Sequence, residues 1–360
     1  MPEGSRAWSP PESSRARPAR RARRPRRRRA PVCAALIAFA VAGAATGAPY
    51  RQGRGHARPG GGGAVSSSAS APSGGEASVE TVGPVVDRDA LLAEAMARVS
   101  VADGAEVSVA VLDPDSGESA SYGTGVFDTA SIVKVDILAA LLLQAQDAGR
   151  ALTAAEKAYA VAMIEHSDND SASALWRTIG TAEGLDAANE RFGLTGTDGG
   201  DGPLWGLTRT TAADQVTLLR QVFVADGSEL SAASRAYVRG LMAGIADGQR
   251  WGVSAAADGG SGGGGSGGDG SGGGGSGGGG SGWALKNGWL RRSTTGLWVV
   301  NSIGRVTSGG HDRLVAVVSR GSATRAEGVS LTEAAARAAV SVFAGKGGTA
   351  DGAARSQKAS

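Results

Sequence analysis

Cysteine is almost missing from this chain: Cys33 is the only one in 360 residues. A lone thiol makes no intrachain disulfide and no thiolate metal cluster, so a folded domain here must rely on its apolar core. Histidine is nearly as scarce, with His56, His166 and His311 the only three. His56 lies in a Gly-rich stretch, His311 in a predicted turn between strands, and His166 beside a Ser-Asp-Asn triplet. That leaves too few imidazoles for a Ser-His-Asp relay or a histidine metal site. A phosphate-binding glycine loop is also lacking, because the one Gly-rich run has no Lys and no strand-to-helix context. No metal and no cofactor is expected.

Acidic charge is sparse at the start of the chain. Residues 1–29 carry 11 Arg and two Glu, a net of +9, and the other 331 residues carry 26 basic and 32 acidic side chains, a net of −6. The basic balance therefore belongs to one segment. An Arg run can bind nucleic-acid phosphates, but here it is followed at once by "APVCAALIAFAVAGAATGA", residues 30–48, which has no charge and 15 apolar residues of 19. That order matches an export signal, and no nucleic-acid partner is expected. Ala42-Gly43-Ala44 suits a signal peptidase, while 19 residues also suffice for an N-terminal anchor with its Arg-rich end inside. Either way the remainder is expected outside the cytoplasm, secreted or membrane-anchored only through this segment. Cys33, at the start of the apolar run rather than its end, reads as a small apolar residue.

Residues 49–84 are Gly, Ser, Ala and Pro with scattered charge and read as a flexible spacer. Residues 347–360 read as a disordered tail. Between them, 85–346 reads as one domain. "RDALLAEAMARV" has helical spacing, "EVSVAVLD" and "ESASYG" form a predicted hairpin around Pro114–Gly117, and a helix opens at Thr129–Ser131. Helices follow at 154–165, 168–180, 182–193, 210–225 and 232–246, then strands "WALKNGWL", "GLWVVNSIGRV" and "RLVAVVSRG" and a last helix from Thr324. Residues 259–282 contain 18 Gly in 24. The sixty residues after that run are too few to cover their own strands, so the run reads as a surface loop inside one domain, at little cost in closure entropy. Strands from both chain ends then form one antiparallel sheet with a helical lobe, an α+β fold.

Three short motifs occur in a fixed order. "DTASIVKVDILAALLLQ" places Ser131 and Lys134 one helical turn apart; "HSDND" holds Ser167-Asp168-Asn169; "LKNGW" holds Lys286-Asn287-Gly288-Trp289 on a strand. Taken singly, Ser131 reads as a helix cap, Lys134 as a solvated charge and Asp168 as a cap. Together they describe a nucleophile, Ser131, whose proton a buried Lys134 can take. Ser167 is placed to pass a proton to a leaving nitrogen, and Asn169, donor and acceptor at once, to hold a substrate amide. Lys286 suits a substrate carboxylate, and Gly288 admits a close backbone approach.

These motifs resemble the penicillin-recognising serine hydrolases, most closely class A β-lactamases. "MIEHSDNDSASALWRTIGTAEGL" and "LTRTTAADQVTLLRQV" extend the similarity, which covers about Asp89 to Ala344. The resemblance implies a β-lactamase/DD-peptidase-like fold and catalytic Ser131, Lys134 and Ser167. It implies substrate contacts from Asn169, Lys286, Asn287, Gly288 and Trp289, with the oxyanion hole at the Ser131 and Trp289 amides. The expected substrate is a small-molecule β-lactam or a peptidoglycan-like amide or ester, acted on by a monomer.

The pattern also departs from the family. Class A enzymes deacylate with a Glu in a Glu-x-x-Leu-Asn motif on the Ω-loop; "LTGTDGGDGPLWG" here has no Glu, only Asp198 and Asp201 on a Gly-rich loop expected to hold neither firmly. Asn287 replaces Thr or Ser, the Trp289 ring is expected to narrow the site or stack on a substrate, and the Ser131–Ser167 spacing is short. The expectation is an exported serine hydrolase acylated at Ser131, with slow deacylation. A D-alanyl-D-alanine peptidase-like enzyme and a non-catalytic envelope binding module are the alternatives.

Overall fold

The computed structural model describes residues 86–259 and 282–344. The predicted export segment, spacer and tail, and the body of the Gly-Ser run, lie outside the described residues. Five strands form one antiparallel sheet: β1 (Glu106–Leu112), β2 (Ser119–Tyr122), β5 (Trp283–Arg291), β6 (Trp298–Ser308) and β7 (His311–Ser322), in the order β2-β1-β7-β6-β5. β1 pairs directly with β7, Val109 opposite Val317, so the two ends of the domain meet in mid-sheet and β5 is left at an edge. A two-stranded pair, β3 (Phe127–Asp128) with β4 (Arg209–Thr210), stands apart.

Both faces of the sheet are covered, and its central strands are accordingly apolar on both sides. Val109, Val111, Val315 and Val317 face α1 (Arg88–Met96) and α8 (Arg325–Ser341); Ala110, Ala316 and Val318 face the helical lobe. That lobe contains α3 (Ala154–Glu165), α4 (Asn169–Ile179), α5 (Thr181–Phe192), α6 (Ala212–Phe223) and α7 (Ala232–Ala243), gathered about α2 (Val133–Asp147). Every residue of α2 from Val133 to Leu143 is buried, Lys134 and Asp136 included. Capping boxes at Thr153/Glu156 and Thr324/Glu327 start α3 and α8, each satisfying two otherwise orphaned amides. Among the described residues no helix is long and apolar enough to cross a membrane.

Three boundaries differ from the sequence expectation. The helix predicted from Thr129 begins as a 3-10 turn, Ala130–Ile132. The helix predicted from Thr210 begins at Ala212, because Arg209 and Thr210 pair with β3 and Thr211 becomes the cap. α7 stops at Ala243, three residues early, and the chain turns so that the Ala246 amide bonds the Glu165 carbonyl at 2.9 Å. Beside the Gly-Ser run, Asp258 N donates to the Thr307 carbonyl at 2.8 Å and Thr307 N to the Gly282 carbonyl at 2.7 Å, so both flanks are clasped by one residue of β6.

Candidate active site

Ser131 sits on the 3-10 turn ahead of α2. The preceding Ala130 lies in the left-handed region, φ +50°, a conformation costing about 1–2 kcal/mol for a residue with a Cβ. Asn301 on β6 holds the turn in place: its Nδ2 donates to the Asp128 and Thr129 carbonyls, both at 2.9 Å, and its Oδ1 accepts from Ser319 N at 2.9 Å. The other clamp is Gly288. A Cβ there would stand 2.8 Å from Ser131 N, Ile132 N and Thr129 O. The close approach that Gly288 permits is therefore to the chain's own Ser131 turn, where sequence reasoning placed substrate backbone.

Lys134, fully buried, is held on the far side of this turn. Its Nζ donates to the Ser167 carbonyl at 2.6 Å, to Asn169 Oδ1 at 2.9 Å and to Ser167 Oγ at 3.1 Å. Three acceptors match the three N–H of an ammonium. Burial nevertheless pulls this amine down to about 7, against the opposing charge of Asp168, so proton loss near neutrality frees a lone pair on a side chain one helical turn from Ser131. Ser131 Oγ itself has no hydrogen-bond partner among the described residues.

Lys286, also fully buried, reaches the same hydroxyl from β5. Its Nζ donates to Ser167 Oγ and the Asn287 carbonyl, each at 3.1 Å, and to Gln249 Oε1 at 3.3 Å. Burial, then the charge of Lys134, holds it well below the usual lysine range. Ser167 thus accepts from two lysines, which uses both lone pairs and leaves its O–H to donate elsewhere. Its backbone is left-handed, φ +58°, a strain that aims its carbonyl at Lys134. Asp168 is the N-cap of α4, accepting from Ser171 N at 2.6 Å. With the Asn169 carbonyl given to Lys134, its amide donors remain for a ligand.

Two expected substrate contacts are corrected by strand alternation. Lys286 and Gly288 face the Ser131 turn, so Asn287 and Trp289 face away. Asn287 Nδ2 donates to the Gln249 and Trp251 carbonyls at 2.7 and 3.0 Å, deep under the sheet. The Trp289 ring packs 5.8 Å from Trp251, with the Arg325 guanidinium 4.3 Å above it. Neither side chain is offered to a ligand beside Ser131; what Trp289 retains there is its backbone amide.

The segment 194–208 is better fixed than its glycines suggest. A Cβ on Gly200 would stand 2.2 Å from the Leu204 carbonyl and one on Gly199 2.8 Å from Ala182, so these glycines permit tight packing. Gly199 N and Gly200 N donate to Asp186 Oδ1 and Thr208 Oγ1, and Trp176 Nε1 donates to the Gly202 carbonyl at 2.7 Å. Asp198 and Asp201 are exposed, and neither carboxylate bonds to Lys134. In place of a carboxylate, the Trp205 ring centre lies 4.9 Å from Lys134 Nζ, with its Nε1 donating to Ser173 Oγ at 3.1 Å. Trp205, Gln249 and Asn301 escaped sequence reasoning. Each acts across a long sequence separation, and only the Trp in a Gly-rich stretch gave a local sign.

Beneath the site, Gln215 Nε2 donates to Thr210 Oγ1 at 3.0 Å and to Asp136 Oδ1 at 3.3 Å, linking α6 and β4 to α2. Burial, with the charge of Asp214, raises the Asp136 carboxyl to about 7 despite the Gln215 bond. Asp136 Oδ2 and Gln215 Oε1 are both buried and unpartnered, and a proton on the first could join them.

The architecture is a class A β-lactamase-like α+β fold. No family model and no curated relative matches the chain. Among solved structures, PBP-A is similar at 21% identity and TM-score 0.56, over 71% of this chain and 96% of that one. A single-substitution variant of PBP-A, an acyl-enzyme complex with penicillin G, is similar at 22% identity and TM-score 0.55, over 71% and 96%. A β-lactamase from Burkholderia vietnamiensis is similar at 20% identity and TM-score 0.55, over 74% and 100%. At these identities the likeness is one of fold.

Proposed function

We propose that this chain is an exported serine hydrolase of the β-lactamase and DD-peptidase kind that forms a long-lived acyl-enzyme at Ser131 with β-lactams or peptidoglycan-like amides and esters. The observation that carries the reading is the single hydroxyl of Ser167 shared by Lys134 and Lys286 at 3.1 Å each. Neutral Lys134 takes the proton of Ser131 Oγ as that oxygen bonds to the substrate carbonyl carbon. The amides of Ser131 and Trp289 hold the oxyanion, a kind of contact typically worth about 3–4 kcal/mol. As the carbon–nitrogen or carbon–oxygen bond breaks, the leaving atom takes the Ser167 proton, which the adjoining ammonium replaces.

Hydrolysis of the ester then needs a base beside a water. The Trp205 ring over Lys134 supports slow deacylation, because an indole accepts no proton at neutral pH, and this favours the D-alanyl-peptidase-like form over a fast β-lactamase. The test is intact mass against time after mixing the chain with penicillin G or a D-alanyl-D-lactate ester, alongside Ser131→Ala. A persistent adduct absent from the variant is expected. Rapid turnover with no adduct would overturn the slow step, and no adduct with any probe would overturn the acyl-enzyme reading and favour a binding module.

A further inference from the structure

On the lobe-facing side of the sheet, a cavity of about 380 Å³ opens between the end of β7, β3 and the hairpin that joins β5 to β6. Asp128, Arg209, Arg292, Thr294, Thr295 and Arg320 line it, three guanidiniums to one carboxylate. Arg320 is occupied, bonding Glu106 and the Val126 carbonyl. Arg292 gives one Nη1 to Asp128 Oδ2 at 3.2 Å; its other nitrogens, and the whole guanidinium of Arg209, have no side-chain partner among the described residues. The Thr295 hydroxyl accepts from Leu297 N and keeps its own hydrogen. Unsatisfied N–H and O–H groups with a net positive charge thus converge on one opening.

The cavity and the Ser131 turn share a support. Asp128 is three residues before Ser131, and its carbonyl is held by the same Asn301 that fixes the Ser131 turn. Strand alternation puts Val299 and Arg320 of the lining on the Asn301 face of the sheet. β5 is an edge strand, so an extended substrate can lie along it. With its scissile carbonyl at the Ser131 and Trp289 amides, its leaving group points toward Ser167 and Lys286. Its acyl side then runs the other way, over Leu290 toward Arg292, four residues past Gly288 and so roughly 13 Å off.

We propose that this cavity is an anion subsite for the acyl part of the substrate, with Arg209 and Arg292 binding a carboxylate about 13 Å from the scissile carbonyl. The assignment of which side is acyl rests on the acyl-enzyme reading above; the anion subsite itself does not need the reaction to occur. The probes are two D-alanyl-D-lactate esters extended by glycine and capped with a glutaryl group, one ending in a carboxylate and the other in a carboxamide.

Binding is measured by calorimetry on the full chain carrying Ser131→Ala, with and without Arg209→Gln and Arg292→Gln. The carboxylate probe should bind about 10- to 100-fold more tightly than the carboxamide, the range for hydrogen bonds to a charged group. The arginine changes should reduce that preference to within about twofold while leaving carboxamide affinity unaltered, which also reports an intact fold. Equal binding of the two probes, no binding of either, or a preference that survives both arginine changes would overturn the proposal. Should the double change weaken both probes alike, Arg209→Gln alone decides: its exposed side chain supports no other residue, and the preference must fall at least threefold. Failure of the acyl-enzyme reading shows separately, as a carboxylate preference in the Ser131→Ala chain with no adduct on wild type.

Discussion

Gly288→Ala is the substitution for which the geometry fixes the outcome most sharply. The new methyl would lie 2.8 Å from three backbone atoms, Ser131 N, Ile132 N and Thr129 O, where ordinary contact needs about 3.5 Å. No flexible side chain can yield. Either β5 moves outward, against its pairing with β6, or the Ser131 turn moves by about 0.7 Å against the two carbonyl bonds of Asn301. Overpacking of this kind costs about 1–3 kcal/mol, which lowers Tm by roughly 4–8 °C at 2 kcal/mol for a domain of this size.

The loss in acylation should be larger than the loss in stability. The displaced atoms include the Ser131 amide, and a missing oxyanion donor or a 1 Å misplacement each costs about 100-fold in rate. Thermal unfolding and the second-order rate of adduct formation with penicillin G, read by intact mass, give both numbers on one sample. A folded variant that acylates at the wild-type rate with unchanged Tm would refute the placement of Gly288 against the turn.

Adduct formation on wild type should rise tenfold per pH unit below about 7 and level off above it, following the neutral fraction of Lys134; a flat profile from pH 5 to 9 would remove Lys134 as the base. Asp136 has a folded-state pKa raised from 3.8 to about 7, so its stabilisation is complete below pH 4 and is lost as pH rises toward 7, about 4 kcal/mol in all at 1.36 kcal/mol per unit. Asp136→Asn, able to bond Gln215 Oε1 at any pH, should lose that component, which urea unfolding at pH 5 and 8 measures; identical pH dependence in the two proteins would exclude it. Asn301→Ala strips two carbonyls and the Ser319 amide of their partner and should cost about 2–4 kcal/mol; a loss under 1 kcal/mol by the same unfolding would show that the turn is held otherwise.

Much of this was legible in the chain because it is local. The cap at Asp168, the start of the last helix at Thr324, the glycine ends of α4 and α5, and the split of strands between the two ends of the domain follow from local residue type and spacing. The order of the Ser-x-x-Lys, Ser-Asp-Asn and Lys-Asn-Gly motifs was enough to gather Lys134, Ser167 and Lys286. A motif treated as a block of neighbours hides the direction of the Asn287 and Trp289 side chains, although a period of two along 283–291 puts them on the opposite face from Lys286 and Gly288. Glycine content alone suggests slack at 199 and 200, whereas the close approach of Leu204 and Ala182 is what requires them. Gln249 and Asn301 left no trace, since an amide that supports a residue across the sheet is set by tertiary distance and not by any pattern nearby.

The clasp on Thr307 has a topological consequence. Because Asp258 and Gly282 are both tied to one residue of β6, the two flanks of the Gly-Ser run are held side by side by the sheet itself. At the opposite seam, Arg88 Nη1 donates to the Val342 carbonyl at 2.7 Å and stacks on Phe343, so the first and last described helices are already neighbours. The domain can therefore be rewired: opened at the Gly-Ser run and joined from residue 344 to residue 86, or supplied as two polypeptides. In the second form Ser131 and Lys134 would arrive on one piece and Lys286 on the other, and acylation would report their reunion.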